Sequence, residues 1–125
     1  MPDTENQKNV VHRYIAAFNA GAADEIAALF NEKATVEDPI GTPAHVGREA
    51  IARFYRRAVK TGAKLDLQGS IRVTGPYAAF PFSARLMVGG SEQQVDVIDT
   101  FRFDEEGRIA EMRAYFEASD VTSFA

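Results

Sequence analysis

The chain changes its hydrophobic period near the midpoint. Up to Lys60, apolar positions recur every three to four residues; from Leu65 they recur every second residue. Residues 4–20 read as a helix with the stripe Val10, Val11, Tyr14, Ile15, Ala17 and Phe18. Thr4 and Gln7 have capping-box spacing at its start, and Gly21 offers the turn that ends it. Residues 22–30 predict a second, short helix with Ile26, Leu29 and Phe30 inward. Ala34 to Asp38 alternates as a short strand ended by Pro39, and residues 40–47, with Gly41, Pro43 and Gly47, predict a loop. Helical period returns over residues 48–60, with Ile51, Phe54, Tyr55 and Val59 on one side and Gly62 as the stop.

The second half alternates. Leu65, Leu67, Gly69, Ile71 and Val73 predict one strand; Ala78, Phe80, Phe82, Ala84, Leu86 and Val88 predict another after Gly75-Pro76. Gly89-Gly90 is a hairpin signal, a third strand covers Val95–Phe103, and Asp104–Gly107 turn the chain into a fourth over Arg108–Glu117. Helices followed by an antiparallel meander define an α+β class. Four long strands and three helices give a curved antiparallel sheet wrapped around the helices, with a concave apolar interior.

Three polar side chains interrupt apolar faces. In Val95–Phe103 the row Val95, Val97, Asp99, Phe101 and Phe103 faces one way, so Asp99 sits in the middle of an inward set. A lone carboxylate there raises its pKa and stays neutral, which makes it a hydrogen-bond donor at neutral pH. Asp38 shares the face of Ala34 and Val36, and Tyr14 lies on the first helix four residues from both Val10 and Phe18. Taken singly, each has an ordinary reading: Tyr14 as core, Asp38 as a turn residue before Pro39, Asp99 as half of a buried ion pair. Taken together, one polar site explains all three.

Composition narrows the partners. A chain of 125 residues, 46% hydrophobic and 26% charged, predicts one domain over residues 1–125. A formal charge of −4, with no Lys/Arg run among aromatics, argues against nucleic acid. Cysteine is absent and His12 and His45 are the only histidines, which disfavours thiolate chemistry and a metal site. No apolar run approaches the roughly 20 residues that cross a bilayer, and Met1–Asn6 is unlike a signal peptide. The expectation is a cytoplasmic protein without membrane association.

The motifs carrying these residues are Arg13-Tyr14-Ile15-Ala16-Ala17, Ala34-Thr35-Val36-Glu37-Asp38-Pro39, Phe54-Tyr55, Val97-Ile98-Asp99 and Phe101-Arg102-Phe103. Through them the chain closely resembles the bacterial Δ5-3-ketosteroid isomerases over nearly its full length. The resemblance implies a conical α+β barrel, a fold also found in scytalone dehydratase and in a nuclear transport factor. It implies Asp38 as general base and Tyr14 with protonated Asp99 as donors to a steroid C3 oxygen, with no cofactor or metal. Tyr55 would support the Tyr14 hydroxyl, and Phe54, Phe80, Phe82, Phe101, Met112 and Phe116 would form the steroid pocket, although core packing explains those six equally well. Phe30 stands where some relatives carry a further tyrosine. A homodimer is implied as well, with Ile98, Pro81, Met87 and Tyr115 as outward candidates for its interface. A polyketide dehydratase or cyclase, or a non-catalytic binding module, is the alternative on the same fold.

Overall fold

The stripe of α1 (Thr4–Asn19) buries Val10, Val11, Tyr14, Ala17 and Phe18, as its period requires. Its start differs from expectation. Asp3, not Thr4, is the N-cap and accepts from the Asn6 amide at 3.1 Å, which frees Gln7 to turn inward and donate to the Gly75 carbonyl. At the other end Gly21 takes φ +70, with Ala22 N bonded to Ala17 O and Gly21 N to Phe18 O, so the last carbonyls are satisfied. The computed structural model describes residues 3–124.

Helix α2 (Ala23–Ala27) is shorter than predicted. Phe30 has left it to open strand β1 (Phe30–Glu37), where it pairs with Ile109. A register shift between Phe30 and Thr35 breaks the alternation, which is why the sequence shows a strand only from Ala34. The loop after Pro39 contains a two-residue strand β2 (His45–Val46) on the edge of β1. Helix α3 (Arg48–Lys60) has its expected bounds and buries Ile51, Ala52 and Tyr55.

The Leu65–Val73 alternation resolves into β3 (Lys64–Leu67) and β4 (Arg72–Thr74), both paired with β5 (Tyr77–Val88). Pro81 causes the break: its carbonyl accepts from Gln68 N at 2.9 Å, but it has no N–H to return on that side of β5. Strand β6 (Ser91–Phe103) pairs with β5 along its whole length, and β7 (Ile109–Tyr115) pairs with β6. After a 3-10 turn (Ala118–Asp120), strand β8 (Val121–Phe124) adds to the free half of β6; its short segment carries no alternation strong enough to predict it.

These strands form one sheet in the order β2-β1-β7-β6-β5-β3, curved around the helices, with β4 on β5 and β8 on β6. The α+β class stands, with one correction: β1 and β7 run parallel, so the sheet is mixed. The long crossover between them makes this possible, since a parallel pair cannot be joined by a tight turn. The core lies between the concave face and the helices. Asp99, 2% exposed, is buried in it; Gln7 and Ser83 are the other buried polar side chains among the described residues, Ser83 on the opposite face of β5.

Candidate active site

Four elements deliver four polar side chains to one apolar cavity. Tyr14 arrives from the buried stripe of α1, Tyr55 from that of α3, Asp99 from the inward row of β6, and Asp38 from the end of β1. The separation of the two acids follows from register. Asp99 pairs with Ala114 on β7, and Ile40 N bonds to the Ala114 carbonyl at 2.9 Å, which draws the end of β1 to the same point. Asp38 and Asp99 thus stand on either side of β7, about two strand spacings or roughly 10 Å apart in backbone. Only the methyl group of Ala114 occupies the strand position between them, which leaves that stretch of wall low.

The tyrosines make a linked pair, their hydroxyls 2.8 Å apart. The Tyr14 ring is wedged edge-on among Tyr55, Phe80 and Phe101 at centroid distances of 5.7, 6.2 and 5.2 Å. Burial, and then the charges that Tyr55 and Asp99 would carry, push the Tyr14 phenol well above its ordinary pKa, so it remains a donor. Tyr55 is raised for the same first reason, burial. Asp99 Oδ1 is buried without a hydrogen-bond partner among the described residues. Burial, helped by repulsion from Asp38, raises Asp99 well above the ordinary carboxylate range and so favours its neutral, hydrogen-bond-donating form. Asp38 is only partly buried and burial raises it less, to about 6, so it is mostly ionised at pH 7. Burial thus favours the neutral form more strongly at Asp99 than at Asp38.

The rest of the wall is apolar. Phe54, Phe82 and Phe116 line it as expected, joined by Phe18, Ala58, Ala63, Leu65, Ala84, Leu86, Val95 and Val97. Phe80, Phe101 and Met112 do not line it. They are fully buried behind Tyr14 and Asp99, with Phe80 and Phe101 opposite Asp99 and Met112 respectively in the sheet. Half of these added lining residues, Ala84, Leu86, Val95 and Val97, lie on the inward rows of β5 and β6. Their alternation was visible, but small aliphatic side chains on such rows look like core. Asp96 is exposed and accepts from Gln94, and His12 is exposed on α1. Phe30 packs 5.9 Å from the Tyr55 ring, so no third hydroxyl extends the tyrosine pair on that side. Among the described residues no group of three or more His, Cys, Asp or Glu is placed to hold a metal ion, and no helix is long and apolar enough to cross a membrane.

Comparison with known proteins finds relatives along nearly the whole chain. A steroid Delta-isomerase of Nocardioides simplex is 36% identical over 115 residues, covering 91% of this chain and 92% of the relative. An epoxide hydrolase of Streptomyces lasalocidi, LasB, is 25% identical over 97% of this chain, which spans 51% of that protein's length. A solved structure of SalBIII, described as an epoxide hydrolase/cyclase-like enzyme in pyran ring formation in polyether salinomycin, superposes with a TM-score of 0.93 at 25% identity. That match covers 99% of this chain and 100% of the other. Residues 11–112 match the model of the SnoaL-like domain. The chain belongs to the SnoaL-like family, the fold family of the ketosteroid isomerases.

Proposed function

We propose that the protein is a steroid Δ-isomerase that moves the C5–C6 double bond of 3-oxo-Δ5-steroids into conjugation. The observation that carries this is the convergence of Asp38, Asp99 and Tyr14 on one apolar cavity. Asp99 is buried more deeply than Asp38, so burial favours a neutral donor at Asp99 and leaves Asp38 as the base. Asp38 takes a proton from C4, the electrons move toward the C3 oxygen, and a dienolate forms. Tyr14 and neutral Asp99 donate hydrogen bonds to that oxygen, where charge develops. Asp38 then returns the same proton to C6, so the reaction balances without any outside acid, base or electron carrier. Tyr55 supports the Tyr14 hydroxyl from behind, and the apolar wall takes the hydrocarbon body of the steroid. Mixing the protein with 3-oxo-5-androstene tests the reading through the absorbance of the conjugated enone. No increase above the uncatalysed rate contradicts it.

The likeness to SalBIII and LasB favours one second reading, epoxide opening by a hydroxyl or water. The same groups suit it: Asp99 or Tyr14 would protonate the epoxide oxygen while Asp38 takes the proton of the attacking oxygen. The 36% identity to an isomerase along nearly the whole chain supports the first reading over it. Conversion of a hydroxy-epoxide with no enone from the steroid would reverse that order.

The assembly that suits this site is a homodimer. Pro81, Ile98 and Tyr115 are cross-strand neighbours on the convex face of β5, β6 and β7, and Ile98 and Tyr115 are 48% and 41% exposed. Such an apolar row suits an isologous contact. Met87, near the tip of the β5–β6 hairpin, lies apart from it. Sedimentation at increasing concentration checks this, and a constant monomer mass contradicts it.

A further inference from the structure

His45 has no part in the proposed proton transfer, yet it is one contact from the cavity. The two histidines differ in setting: His12 is exposed on α1, whereas His45 is half-buried on β2. The His45 ring lies 4.7 Å from the Phe54 ring at 37°. Phe54 lines the cavity and stands edge-on to Tyr55 at 4.9 Å, and Tyr55 is bonded to Tyr14. An aromatic chain therefore runs from the sheet edge to the Tyr14 hydroxyl.

Register adds a second link. His45 pairs with Val36, and antiparallel partners share a face of the sheet, so His45 is on the inward face two positions from Asp38 along β1. The segment between Asp38 and α3 is tied near each end, by Ile40 N to the Ala114 carbonyl and by Gly47 N to the Ala34 carbonyl. The tilted ring contact with Phe54 adds a third tie, from β2 to α3.

We propose that His45 is a positioning residue: its ring clamps Phe54, on α3, to the strand edge that carries Asp38, and so holds the body of the substrate over the base. The inference rests on the reading of this cavity as the substrate site. The ring face does the work, so any flat side chain of similar size serves.

Loss of one aromatic contact corresponds to roughly a two- to tenfold change in a binding constant. His45→Ala is therefore expected to raise KM for the steroid by about that factor with kcat little changed. His45→Phe restores KM, and His45→Gln, polar but not flat, behaves like Ala. A wild-type KM in His45→Ala, a His45→Phe variant as impaired as Ala, or a fall in kcat equal to the rise in KM each overturns the proposal. Two measurements keep this apart from a failure of the isomerase reading. With only two histidines in the sequence, the His45 imidazole protons are assigned by comparison with His12→Gln. Their NMR signals should sit upfield through the Phe54 ring current and move in Phe54→Leu; signals indifferent to Phe54 overturn the stacking. Fluorescence titration with 2-naphthol, a flat phenol matched to the tyrosine and acid donors, should show the same loss of affinity in His45→Ala whether or not the steroid turns over, and equal affinity in the two proteins overturns the clamp.

Discussion

Along β5 and β6 a single unbroken alternation faces inward, yet its two halves meet different surroundings. Toward Phe103, Ala78, Phe80, Phe101 and Phe103 are sealed, with Phe80, Phe101 and Phe103 interlocked at centroid distances of 5.1 and 6.0 Å. Toward the hairpin tip, Ala84, Leu86 and Val95 are half-buried and line the cavity. The difference lies in what faces the strands. The first half is covered by the side chains of α1, Tyr14 among them, whereas the second faces the small side chains of Ala58 and Ala63. Alternation decides which face is inward; the opposing elements decide whether it is filled. Asp99 stands at the boundary, deeply buried and yet on the cavity wall, where burial raises its pKa. Asp38 is nearer solvent, and burial raises it less.

Substitutions at this boundary should give the largest effects. Asp38→Asn keeps the shape of the side chain and removes the proton acceptor, so turnover should fall by about 100- to 10,000-fold, while affinity for a phenol that mimics the dienolate is kept or improved. Near wild-type turnover would assign the base elsewhere. Asp99→Leu and Tyr14→Phe each remove one donor to the developing oxyanion, with an expected loss of on the order of 100- to 1000-fold. Asp99→Asn still donates and should lose less than Leu. Steady-state kinetics on the four variants checks the order, and an Asn variant as inactive as Leu would remove the donor role.

The two halves should then respond in different quantities. Phe101→Ala, in the sealed half, opens a void and is expected to cost about 3–5 kcal/mol of stability in denaturant unfolding. Ala84→Phe, in the open half, fills space reserved for ligand, so it should raise KM and leave stability nearly unchanged. If Ala84→Phe destabilised as much as Phe101→Ala, the open half would be core after all.

The protonation states set the pH dependence. Because Asp38 must be ionised to act and burial raises it to about 6, kcat/KM should climb about tenfold per pH unit on the acid side and level off above that value. Stability should run the other way. Both acids have folded pKa values above the ordinary 3.8, so each favours the folded state most at low pH. That contribution is lost as pH rises, by about pH 6 for Asp38 and over a longer range for Asp99. The melting temperature of Asp99→Asn relative to wild type should therefore increase with pH; a constant difference would mean that Asp99 ionises normally.

The polar trio was legible from sequence because each member breaks a periodic apolar face, and period is what a sequence carries best. α3 and the β5–β6 pair were legible for the same reason. The register shift in β1, the break opposite Pro81 and the parallel β1–β7 pair depend on partners distant in sequence, so local pattern could not show them. The lining of the cavity was legible only in part. Phe80 and Phe82 are alike in sequence, and only the helices above decide that one is sealed and the other exposed to a ligand.

The proposed mechanism requires Asp99 protonated and Asp38 ionised in the same cavity at neutral pH. Infrared difference spectra of wild type against Asp99→Asn and against Asp38→Asn read those states directly. The account predicts a protonated carboxyl C=O band lost in Asp99→Asn and mainly ionised carboxylate bands lost in Asp38→Asn, both at pH 7. A carboxylate signature for Asp99, with no protonated band, would contradict it.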